Sequence, residues 1–121
     1  MKAFKVLRKD KQGKYWSCVV TGKARVRYFT DRKINPPNFL KQKGYELLVF
    51  KSWRYAESFS PIGRLHSTKV IYEVEVGTPK RIPVRCYAFE LSNGELVRSD
   101  CVWPAGTMMV PWVRLLPRRK R

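Results

Sequence analysis

"KVIYEVEVG", residues 69–77, alternates with a period of two. Val70, Tyr72, Val74 and Val76 fall on one parity; Ile71, Glu73 and Glu75 fall on the other. This is the pattern of a strand with one face in a core and one in water. On its N-terminal side, "AFKVLR" (3–8) reads as a strand, and the turn-rich "KDKQGK" leads into "YWSCVV" (15–20), rich in aromatic and β-branched residues. "TG" (21–22) then turns the chain into "KARVRYF" (23–29). The three runs predict an N-terminal three-stranded meander. "TDRKINPPNFLKQKG" (30–44) reads as a loop, because Pro36 and Pro37 remove backbone donors and break a ladder. "YELLVF" (45–50) returns to strand. "SWRYAESF" (52–59) predicts the single short helix, with Ser52 at the cap and Trp53, Ala56 and Phe59 sharing a face.

On the C-terminal side, "RCYAFELS" and "ELVRSDCV" flank Asn93-Gly94, a strong hairpin signal. A two-residue loop there sets Cys86 opposite Cys101, with Cα atoms about 5.5 Å apart and both thiols reduced. A three-residue loop, Ser92-Asn93-Gly94, slips the register and separates them. A last strand near 107–115 is expected at an edge or in pieces, because Pro104 and Pro111 interrupt it. The expected fold is α+β, mostly β: a curved antiparallel sheet of six to eight strands with one short helix. It occupies a single domain over residues 1–116, followed by a basic, disordered tail over 117–121. A chain of 121 residues buries enough surface to fold without a staple.

Charge narrows the function. The chain carries 26 Lys and Arg against 9 Asp and Glu, a net charge of +17. The load is uneven: residues 1–54 hold 15 basic and 3 acidic residues, whereas residues 55–116 hold 7 and 6. A basic half beside a nearly neutral half is a directed electrostatic footprint, and nucleic acid is its commonest partner. Within the basic half, Lys23, Arg25 and Arg27 share one parity of "KARVRYFT", while Ala24, Val26 and Tyr28 share the other. Same-face residues on a strand stand about 6.6 Å apart, a spacing suited to successive phosphates. The plain alternative is the wet face of a sheet, but a wet face mixes in acids and this half has few. Arg8, Arg32 and Lys33 join the row as candidates, with Lys2, Lys5, Lys9, Lys11 and Lys14 nearby. Aromatic residues interleave with them, Trp16 among them, and Tyr28 or Phe29 at the end of the row is the candidate for base stacking.

Other features carry less. Cys18, Cys86 and Cys101 are widely spaced and His66 is the single histidine, so no metal site and no cofactor are expected. No apolar leader or span is readable, and the expectation is a soluble, cytoplasmic protein in a reducing compartment with no membrane partner. Glu73 and Glu75 share a strand face, which suits either acid–base work or plain solvation. Trp103, Met108, Met109 and Trp112 form the candidate protein-binding patch.

At "YELLVFKSWRYAESF" the chain resembles small uncharacterised proteins of phages and other mobile elements, in the residues Val49-Phe50, Ser52, Ala56 and Phe59. The resemblance implies a second function: a host-defence inhibitor, anti-CRISPR-like, that binds an effector protein or an anionic nucleoprotein complex. The same strand–helix unit is similar to minimal ADP-ribosyltransferase-like folds. That similarity implies a third function, an enzyme in which Arg8 and Glu73 or Glu75 serve a nicotinamide cofactor; the Ser-Thr-Ser element of such folds is not recognisable here. The leading expectation is a noncatalytic nucleic-acid-binding protein, taking DNA or RNA, that meets the phosphate backbone with its basic meander.

Overall fold

In the computed structural model, which describes residues 1–17, 26–42, 44–59, 68–83, 86–90, 96–99 and 103–117, the elements run β1 (Lys2–Lys9), β2 (Tyr15–Ser17), β3 (Arg27–Tyr28), β4 (Lys33–Ile34), α1 (Asn38–Gln42), β5 (Leu47–Phe50), α2 (Trp53–Ser58), β6 (Thr68–Val76), β7 (Cys86–Glu90), β8 (Leu96–Ser99), β9 (Thr107–Val110) and β10 (Val113–Leu115). Eight of these strands form one antiparallel, nearly closed sheet; β7 and β8 form a separate hairpin. The tail at 118–121, Cys18 and His66 lie outside the described residues.

The strand read most clearly from sequence, β6, lies inside the sheet. One edge pairs with β1 from Lys2 opposite Glu75 to Lys9 opposite Thr68, and the other pairs with β10 through Val74 and Val76. The outer edge of β1 is shared. Phe4 faces Phe50 of β5, and Leu7, Arg8 and Lys9 face β2. β5 in turn pairs with β9, and Met109 of β9 bridges to Lys80 just past the end of β6. Leu115 opposite Val74, Val113 opposite Val76 and Met109 opposite Lys80 keep one register. β9 and β10 are therefore one strand broken at Pro111, as its missing N–H dictates.

Sheet curvature follows from chain length. β3 and β4 end the path β3-β2-β1-β6-β10-β4. On a flat sheet those ends would stand about 24 Å apart. Only residues 29–32 join Tyr28 to Lys33, a reach of about 17 Å at full extension. The sheet must curl until its ends approach.

β1 separates two apolar clusters by parity. Ala3 and Leu7 face the larger, with Tyr28, Leu47, Val49, Tyr72, Val74, Val110 and Val113; Val6 faces the smaller, with Phe50 and Ala56 of α2. The same parity turns Lys5 inward. It is buried, its Nζ donates to the Leu48 carbonyl at 2.6 Å, and it lies 5.3 Å from the centre of the Tyr28 ring. Lys5 thus leaves the cationic surface it was grouped with.

α2 begins where expected: Ser52 is extended at φ −144° and its hydroxyl accepts from the Tyr55 amide. Its buried side is Ala56 with Tyr55 and Phe59, whereas Trp53 stands partly exposed, its edge against Phe4. Lys69 Nζ caps the other end, donating to the carbonyls of Glu57 and Phe59. α1 corrects the loop reading of 30–44. A proline just before a helix removes no intrahelical bond, and Pro37 supplies the carbonyl that accepts from Lys41. Gly44, at φ +85°, then ends the helix.

The hairpin register is also corrected. Glu90 faces Leu96, the register of the three-residue loop, and an irregularity between Tyr87 and Phe89 brings Cys86 opposite Ser99. Cys86 therefore does not face Cys101. Residues 91–95 and Cys101 itself lie outside the described residues.

Candidate nucleic-acid interface

The β1–β2 turn sets the first part of the site. Asp10 Oδ1 accepts from the amides of Gln12 and Lys14, each at 2.9 Å, and Gly13 turns the chain at φ +80°. Asp10 Oδ2 accepts from the Trp16 indole N–H at 2.9 Å. That bond, then the Lys14 amide, holds the Asp10 carboxyl below its ordinary range. Trp16 belongs to neither apolar cluster. With its N–H engaged, the indole offers a ligand only its π-face.

A cross-strand row is built on that ring. Lys69, Arg8, Trp16 and Arg27 are successive partners across β6, β1, β2 and β3. Directly opposed residues share a face of the sheet, so three cations and one indole line up over about 14 Å. The Arg27 guanidinium lies 5.5 Å from the centre of the Trp16 ring and 4.5 Å from that of Phe29. Arg32 follows, 4.3 Å from the same Phe29 ring. The result is a ladder of alternating rings and guanidiniums, each contact favourable by about 0.5–2 kcal/mol.

The partners of these cations differ. Arg27 Nε is buried without a hydrogen-bond partner, and no described carboxylate pairs with Arg27. Among the described residues, Arg32 pairs with its neighbour Asp31, at 3.5 Å and in the open, which contributes little. Arg8 Nε donates to the Ser17 carbonyl, tying β1 to β2 beside Trp16.

Of the expected residues, Arg8, Arg27 and Arg32 are brought together. Lys33 lies instead on β4 in the cross-strand row of Arg114, Glu75 and Lys2, its Nζ 4.4 Å from the centre of the Trp112 ring. Lys23 and Arg25 lie outside the described residues. Tyr28 is a correction: it is only 1% exposed and packs in the larger core. Trp16–Arg27 is the outward pair and Tyr15–Tyr28 the inward one, so parity excludes Tyr28 from stacking. Phe29, past the end of β3, is half-buried: it packs against the larger core and lies under the guanidiniums of Arg27 and Arg32. Sequence reasoning passed over Trp16 and Asp10 as site members. The signal for them was an acid at the start of a tight turn, six residues before a tryptophan on an alternating strand.

Of the expected protein-binding patch, Trp103, Met108 and Trp112 are partly exposed and Met109 is not. Met109 is buried, and its sulfur accepts from the Glu46 amide at 3.4 Å. Met108 and Trp103 pack against the main core, with the Trp103 indole donating to the Pro83 carbonyl. Trp112 sits with Lys33 instead. Among the described residues, the large hydrophobic side chains left exposed are Met1 and Trp53.

Glu73 and Glu75 are engaged by cations, Glu73 with Lys2 at 3.7 Å and Glu75 with Arg114 at 3.2 Å. Arg8 faces Lys69, so these carboxylates stand roughly 13 and 20 Å further along the ladder. The constellation of Arg8 with Glu73 or Glu75 is not formed. Among the described residues, no group of three or more His, Cys, Asp or Glu converges, and no helix is long and apolar enough to cross a membrane.

Compared with protein-family models, with curated proteins and with solved structures, the chain finds no match.

Proposed function

We propose that the protein binds nucleic acid without catalysis, gripping the phosphate backbone with the outer face of β1, β2 and β3. One observation carries the reading: the Arg27 guanidinium is held between Trp16 and Phe29, in line with Arg8, and has no described carboxylate partner. A half-buried cation kept in place by rings is a preorganised anion site. Phosphate suits it because guanidinium matches the oxygens of phosphate in pairs. Lys23 and Arg25, on the same parity as Arg27 in the sequence, extend the set.

Affinity on this reading comes mainly from released counterions. For about three phosphate contacts on a single strand, binding falls roughly 20-fold between about 50 and about 200 mM salt. A salt series with a labelled oligonucleotide measures this directly. The double reversal Arg8→Glu, Arg27→Glu should flatten the series and weaken binding at low salt. An unchanged series in that variant, or binding indifferent to salt, would sink the proposal.

A further inference from the structure

Resting on the nucleic-acid reading, we infer that the site selects unpaired strands, with one base stacking on Phe29 where the Arg32 guanidinium now lies.

Phe29 carries two guanidiniums that differ in how firmly they are held. Arg27 also packs against Trp16, and its Nε is enclosed. The Arg32 side chain is 60% exposed, and among the described residues its ion pair is with Asp31, itself 74% exposed. Displacing Arg32 from the ring therefore breaks one exposed ion pair and one exposed cation–π contact, both weak. A base taking its place regains the ring contact over a larger flat area, and the freed guanidinium reaches the phosphate beside that base.

The chemistry of the rings favours the same class of ligand. Beyond holding Arg27, the two rings present flat aromatic surface. Here Trp16 stands outside both cores with its N–H occupied by Asp10, and Phe29, partly buried against the larger core, lies under two cations. Neither ring can read a base edge by hydrogen bonding, so stacking is what they offer, and it tolerates any sequence. A duplex presents base faces only at its ends or after unpairing, which costs a few kcal/mol.

The test compares three labelled probes of equal length on the wild-type protein: an oligothymidine, an abasic phosphodiester strand and a duplex. The oligothymidine is expected to bind about 5- to 150-fold more tightly than the abasic strand, the range for one stacked base, and more tightly than the duplex. Phe29→Leu should erase the advantage over the abasic strand, and, because the same ring holds Arg27, it should also weaken abasic binding. Equal binding of oligothymidine and abasic strand overturns the inference, as does a duplex bound as tightly as the single strand. In either case salt-dependent binding leaves the phosphate grip standing. Absence of binding to all three probes overturns both. The abasic comparison uses unaltered protein and does not depend on the variant folding.

Discussion

At the scale of the residue, Asp10 has the largest reach for its size. Its two oxygens close the β1–β2 turn and fix the Trp16 indole. The carboxyl is held low in the folded chain by Trp16 first and the Lys14 amide second. A depressed folded value means that its stabilisation is present above the unfolded pKa, about 3.9, and is lost as pH falls through the folded value. In Asp10→Asn one oxygen still serves the turn, but the amide nitrogen then meets the indole N–H donor to donor. The variant should be less stable than wild type by urea denaturation at about pH 7, and the gap should close as pH drops towards about 3. An equal gap at both ends would show that the charge contributes nothing. Legibility at this scale was mixed. The parity of "KARVRYFT" separated Arg27 from Tyr28 correctly, yet Tyr28 was still put forward for stacking because it sits beside the row. Adjacency along a strand is opposition across the sheet, and that rule puts Phe29, not Tyr28, on the parity of Arg27.

At the scale of the element, the bend between β9 and β10 shows what sequence reveals and what it withholds. Pro111 announced a break, and the break is there. What filled it was not readable: Gly77, past the end of β6, packs against the broken strand. A Cβ at Gly77 would lie 2.6 Å from both the Pro111 ring and the Trp112 indole nitrogen. Gly77→Ala should therefore cost roughly 1–3 kcal/mol in chemical denaturation, the range for overpacking a close contact. A neutral result would mean that the bend yields freely. α1 was missed because its prolines were taken as breakers, although before a first turn they remove no helical bond. The β7–β8 register departs from the two-residue-loop reading by one residue at Glu90–Leu96 and by two at Cys86–Ser99, the second step arising at the irregularity between Tyr87 and Phe89, which no turn residue announces.

At the scale of the whole molecule, charge opposes the fold. The excess of +17 is carried by a curled sheet, and the ion pairs that relieve it among the described residues are mostly exposed. Self-repulsion at that density is screened by salt, with a Debye length near 10 Å at about 0.1 M. Raising sodium chloride from about 0.01 to about 0.15 M should raise the melting temperature by about 2–6 °C, read by scanning calorimetry. A fall over that range would mean that attractive pairs outweigh repulsion. The architecture itself was legible, because strands, meander and helix each rest on local alternation. The closure was not, since it depends on Phe4 meeting Phe50 and Met109 meeting Lys80 across long stretches of chain.

Residues 29–32 span the gap between the two ends of the sheet, and Phe29 and Arg32 lie on that span. The clasp that keeps the sheet curled is also the hand that reaches outward. On the proposed reading, a ligand that holds that ring and guanidinium also holds the span between β3 and β4, whose far end is set by Ile34 opposite Val113. Under that proposal, grip and closure share one short piece of chain, and binding that favours the one stabilises the other.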